Sequence, residues 1–173
     1  MTNTSFEWHI IASFRKESDA ELYFNTLKNH GYSEKDINVF MSERTSKKFD
    51  NTDLDTTPSA ISGVGTGSAI GGTLGAIAGA ILAAGTSAVV PGLGIIVAGP
   101  ILLWVSGAGL GGITGGIIGL FASLGIGNDY AKIYQEAIND GHVVIAVDPR
   151  ADDITKIKQQ IDHCNGENVY GVS

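Results

Sequence analysis

Four groups of residues carry types that do chemistry. Gly63-Val64-Gly65-Thr66-Gly67 has the glycine density of a phosphate-cradling loop. Such loops need Gly-Lys-Ser/Thr after them, or a strand before and an acid about 20 residues on. No Lys lies nearby, residues 56–62 do not read as a strand, and the next acid is Asp129. Phosphate binding is therefore not expected. His9 and His142 fall on strands that could be neighbours, but a zinc site takes three or four ligands and no third is evident. Paired surface histidines are the expectation. His163-Cys164 could be a metal or redox pair; a half-buried thiol beside a solvated imidazole is the plainer reading. Asp152-Asp153 reads as a helix start, and Asp50, Asp53 and Asp55 as a solvated linker, rather than as the paired carboxylates of general acid–base catalysis. No nucleophile–base arrangement emerges. The expectation is a non-enzyme without catalytic residues, cofactor or metal.

What must position any site is dominated by one stretch. Thr56 to Asn128 contains no Asp, Glu, Lys, Arg or His, and it holds 20 of the chain's 24 Gly. Gly63, Gly67, Gly71, Gly75 and Gly79 recur every fourth residue, as do Gly107, Gly111, Gly115 and Gly119. That spacing stacks them on one face of a helix, as in helices that pack backbone to backbone in lipid. The seven Gly from 63 to 79 would cost a lone aqueous helix roughly 7 kcal/mol relative to Ala, so these helices must be shielded from water. Ile70, Leu74, Ile77 and Ile81 form an apolar stripe on the first helix, and Leu110, Ile113, Ile117, Leu120 and Leu124 on the second. These stripes face lipid or a core.

The expected helices run from Gly63 to Ala84 and from Pro100 to Gly125, long enough for the ~20 residues that a bilayer core requires. Trp104 suits a lipid interface. Gly85 to Gly99 reads as the joint, with Pro91-Gly92 and Gly94 as a turn. Its Val89, Val90, Leu93, Ile95, Ile96 and Val97 imply a buried tip. Two crossings and a shallow dip from one side both fit. Leu at Gly75 and Gly115 is expected to break association while the flanks still fold.

The flanks alternate differently. Residues 7–14 read as a strand, with Trp8, Ile10, Ala12 and Phe14 on one side. A helix capped by Ser18 or Asp19 runs to about Asn29, and Asp36–Ser42 forms a strand. Glu43 to Pro58 reads as polar linker. After the stretch come a helix capped by Asn128 or Asp129, a strand at His142–Asp148, a helix opened by Asp152 or Asp153, and a short strand at Asn168–Ser173. The expected fold class is α+β: a ferredoxin-like antiparallel sheet of order βαβ-insert-αβαβ, carrying an inserted glycine-zipper helical hairpin. The expected domains are 1–49 as the first half, 50–60 as linker, 61–127 as the hairpin, and 128–173 as connector helix and second half. His9, Ile11, Ser13, Val144 and Ala146 would face away from the helices, leaving a half-apolar sheet face for a second copy or a partner.

The net charge of −7 argues against nucleic acid. Polar Met1–Ser5 predicts no signal peptide. A single Cys excludes an internal disulfide framework. Arg44, Lys47 and Lys48 before the stretch and Lys132 after it keep both flanks, and so both termini, cytoplasmic.

Asp19-Ala20-Glu21 after a first strand, Val90-Pro91-Gly92-Leu93-Gly94 and Ala98-Gly99-Pro100 within a glycine zipper, and Val143–Val147 as a closing strand resemble the bacterial general-stress or low-temperature-induced proteins with a glycine-rich insert. The resemblance implies a stress-linked, membrane-associated protein and brings no catalytic residues. The expected function is a non-enzymatic protein of the inner, cytoplasmic membrane whose hairpins insert and drive homo-oligomerisation, with itself and the lipid bilayer as partners. The alternative is a cytoplasmic, soluble homo-oligomer with buried hairpins and a module that binds a small molecule or partner.

Overall fold

The computed structural model describes residues 10–50, 77, 87–90, 92–101 and 115–171. The sheet strands are β1 (Ile10–Phe14), β2 (Ile37–Ser42), β3 (Ser87–Val90), β4 (Ile95–Ala98), β5 (Val143–Val147) and β6 (Glu167–Tyr170). The helices are α1 (Glu17–Asn29), α2 (Glu43–Asp50), α3 (Gly116–Ser123), α4 (Asn128–Asn139) and α5 (Ile154–His163), with a 3-10 turn at Ala151–Asp153 before α5. The fold is α+β, with one six-stranded antiparallel sheet of order β3-β4-β2-β5-β1-β6.

Period-two patterning sorts the strands onto two cores. Ile10, Ala12 and Phe14 of β1, Ile37, Val39 and Met41 of β2, and Val143, Ile145 and Val147 of β5 face α1 and α5. They meet Ala20, Tyr23, Phe24 and Leu27 of α1 and Ile157 and Ile161 of α5, positions spaced three and four apart. Phe14 stacks on Tyr23 with ring centroids 5.0 Å apart.

The second face corrects the expectation of an open sheet. Ile11, Val144 and Ala146 lie with Phe40 under Ile117, Leu120, Phe121 and Leu124 of the α3 region and Ala131, Tyr134 and Ile138 of α4. Phe121 sits 5.0 Å from Phe40 and 5.3 Å from Tyr134. α4 is therefore a covering layer rather than a connector. Half-apolar strand faces are completed within the chain, because burying that surface is favourable whoever supplies the cover.

The uncharged stretch also differs from a helical hairpin that stands apart. Its centre is a β-hairpin that extends the sheet beyond β2: Val39 pairs with Ala98 and Ser42 with Ile95, while Ser87 pairs with Ala98 and Val90 with Ile95. Runs of Val and Ile fit a pleated surface better than a loop. The hairpin turns where Leu93 N–H donates to Val90 O at 3.1 Å, with Gly92 at φ +81°. A helix from Pro100 to Gly125 is interrupted as well, because Gly115 and Gly116 take φ of +114° and +67°, outside the helical region. Glu43–Asp50, expected as linker, is helix α2.

α1 and α4 start after Lys16 and Gly127 rather than after the expected caps, whereas α5 starts after Asp153 as expected, although the Asp153 side chain makes no cap hydrogen bond. Asp153 is turned instead to Tyr32, whose hydroxyl donates to it at 3.1 Å.

Candidate functional site

Two buried polar side chains on the flanking elements hold the uncharged stretch. Glu21, on the inner side of α1, is 1 % exposed. Its carboxylate accepts the N–H of Ile77 at 3.0 and 3.2 Å through its two oxygens. Ile77 is itself wholly buried, in the core between the sheet and α1. On β2, Asn38 is 3 % exposed, and its Oδ1 accepts the N–H of Ile101 at 2.9 Å. A buried N–H without an acceptor costs ~1–3 kcal/mol, so each side chain fixes a point where the stretch meets the body.

Gly99 makes the second attachment possible. At φ +110°, a Cβ there would lie 2.4 Å from Ile37 O and 2.8 Å from Asn38 Oδ1. Only a residue without a side chain brings the backbone that close to Asn38. Val90, Ile95, Val97, Ile101 and Ile117 add apolar contact in the second core.

The expected site residues divide accordingly. Gly63, Gly67, Gly71, Gly75, Gly79, Gly107 and Gly111, with Ile70, Leu74, Ile81, Leu110, Ile113 and His9, lie outside the described residues. Gly115 and Gly119 are joined by an N–H to O bond of 3.1 Å, from Gly119 to Gly115. Ile77, Ile117, Leu120 and Leu124 are core residues of the chain itself. Ser13, expected on an open face, is fully buried; its hydroxyl donates to Glu167 O at 3.2 Å and accepts from Asn168 Nδ2 at 3.0 Å. There the β1–β6 register shifts, Asn168 takes φ +53°, and Tyr134 Oη donates to Asn168 O at 2.6 Å.

Of the expected histidine pair only His142 is described, immediately before β5, which runs antiparallel to β1 with Ile10 opposite Val147 and Phe14 opposite Val143. Among the described residues, no group of three or more His, Cys, Asp or Glu could hold a metal.

A groove of about 560 Å³ lies between α1 and α5, lined by Leu22, Thr26, His30, Lys156, Gln159, Gln160, His163 and Cys164. Sequence reasoning singled out only the last pair. The groove depends on which helix faces pack together, and no local motif marks that. His30 Nδ1 is 2.7 Å from Thr26 O and His163 Nδ1 is 2.9 Å from Gln159 O. A carbonyl partner makes each Nδ1 the donor, which leaves the Nε2 atoms as acceptors in the neutral rings. Gln160 Nε2 donates to His30 Nε2 at 3.0 Å. Burial pushes the Cys164 thiol up, against a Thr26 hydrogen bond that lowers it, so it is a poor nucleophile at neutral pH.

Neither family models, nor curated proteins, nor solved structures give a match to this chain.

Proposed function

We propose that this is a non-enzymatic, stress-linked protein that associates with the cytoplasmic membrane. In this reading a ferredoxin-like body holds a glycine-rich stretch whose remaining segments dip into the bilayer surface and associate between copies. The observation that carries it is the pair of buried attachments, Glu21 to Ile77 and Asn38 to Ile101. They fix an uncharged chain to a charged body at defined points.

The strand order β6-β1-β5-β2, with α1 and α5 on one face, supports the ferredoxin-like description. β3 and β4 extend it past β2, and α3 and α4 cover the other face. The resemblance to glycine-rich stress proteins supports the stress link.

A shallow dip fits these anchors better than two crossings. Ile77, central to the first expected helix, is buried in the body. Residues 102–114, Leu102 to Thr114, number 13 between Ile101 and Gly115; as a helix they would extend ~20 Å, short of the ~30 Å hydrocarbon core. Leu102-Leu103-Trp104-Val105 is suited to the headgroup boundary. No helix among the described residues is long and apolar enough to cross a membrane.

The alternative is a soluble homo-oligomer whose α1–α5 groove takes a small molecule. It is favoured by Ile77, Val90, Ile95, Val97 and Ile117 burying themselves in the chain's own cores. Fractionation separates the two. Carbonate-resistant pelleting of the full chain with membranes is expected; a discrete soluble oligomer without detergent overturns the membrane reading in favour of the alternative.

A further inference from the structure

The two edges of the sheet are built differently. β6 is defended: its pairing with β1 shifts register, Asn168 adopts φ +53°, and Arg15 pairs with Glu167 at 2.8 Å. Bulges and charges of this kind stop edge strands from adding to others. β3 carries neither. It reads Ser87-Ala88-Val89-Val90, pairs in unbroken register with β4, and has no strand beside its outer edge among the described residues. Val89 is 48 % exposed, one of three large apolar side chains among the described residues that are, with Leu22 and Tyr130.

We infer that the outer edge of β3 pairs antiparallel with β3 of a second copy, joining two sheets into one. This rests on the homo-oligomeric part of the reading above and names a surface for it. Two features make the second copy the occupant. About a two-fold axis, Ser87 and Ala88 lie opposite Val90 and Val89 of the copy, small residues against β-branched ones, so the strand complements itself. The body carries a net charge of −7 and repels its own kind over most of its surface, whereas β3 lies inside the charge-free stretch from Thr56 to Asn128. An acidic or basic peptide would find no counter-charge on the strand itself.

The test is sedimentation of the full chain, in mild detergent where its solubility requires, beside V89K, which places a charge on each side of the axis. At least tenfold weaker self-association with an unchanged far-ultraviolet circular dichroism spectrum is expected. A second variant, Val89→Cys, treated with a short bis-maleimide, is expected to give a covalent dimer where Leu22→Cys gives none. This holds even if V89K fails to fold. A wild-type chain that stays monomeric at every concentration overturns both the edge pairing and the homo-oligomeric reading. An oligomer that V89K leaves intact and Val89→Cys does not cross-link overturns the edge pairing alone.

Discussion

The carboxylate of Glu21 closes on the backbone N–H of Ile77 with both oxygens, at 3.0 and 3.2 Å, in a place almost without solvent. A helix residue of the polar flank thus serves as acceptor for a residue of the glycine-rich stretch, 56 positions away in sequence. Replacing Glu21 with Leu leaves that N–H unsatisfied and is expected to cost ~1.5–3 kcal/mol, the range for bonds to charged groups. Gln keeps an acceptor oxygen and is expected to lose less. Denaturant midpoints give the ranking, and amide exchange at Ile77 should accelerate more in the Leu variant than in the Gln variant. Equal exchange in wild type and both variants contradicts the anchoring role.

Gly99 has the tightest backbone approach on β2. An Ala there would combine left-handed strain with a Cβ 2.4 Å from Ile37 O, and is expected to destabilise by ~2–4 kcal/mol. Asn38→Ala removes only the acceptor for Ile101 and is expected to cost ~1–3 kcal/mol. Thermal melts of the two variants check the order.

Gly115 gives a different result from the zipper expectation. Its φ of +114° makes any side chain strained there, before any helix approaches. Gly115→Leu is therefore expected to destabilise the body itself by ~1–2 kcal/mol and so to lower its melting temperature, not merely to block association. A variant that melts like wild type while losing association restores the zipper explanation for this position.

Tyr23 and Tyr134 set the alkaline limb of stability. Burial is the first cause that pushes both phenols well above their ordinary value. Unfolded, they ionise near pH 10; folded, they stay neutral beyond it. Raised groups of this kind give stability that is complete below the unfolded value and lost as pH rises above it. Unfolding should therefore become easier above about pH 10. Absorbance at the phenolate band should show two of the five tyrosines titrating only with loss of fold.

Asp36 sets part of the acid limb. The Ser33 hydroxyl, at 2.7 Å, and the Ser33 N–H, at 2.8 Å, donate to its carboxylate and hold it below the ordinary range against partial burial. A depressed carboxylate stabilises above its unfolded value and loses that contribution as pH falls through the folded one. Asp36→Asn is expected to flatten the stability change below about pH 4. An acid limb identical to wild type contradicts this.

The flanks were legible in the sequence because their signals are local. Alternation at Val143–Val147 and the three-and-four spacing of Ala20, Tyr23, Phe24 and Leu27 mark which side chains are buried, whatever else the chain does. The stretch from Thr56 to Asn128 was legible in composition, but its described part takes another form. Glycine is compatible with a helix, yet it also supplies the positive φ that Gly92, Gly99, Gly115 and Gly116 use to turn and to break one.

By itself, then, the sequence determined the apolar faces of the flanking strands and helices, the absence of charge in the middle, and the lack of a motif with chemistry. Those are properties of composition or of residues three or four apart along the chain. Tertiary structure decided that the central Val and Ile runs become β3 and β4, that α3 and α4 close the second sheet face, and that Glu21 and Asn38 point inward to meet Ile77 and Ile101. Each of these depends on which distant surface completes a buried contact, and burial is governed by contact in space rather than neighbourhood along the chain.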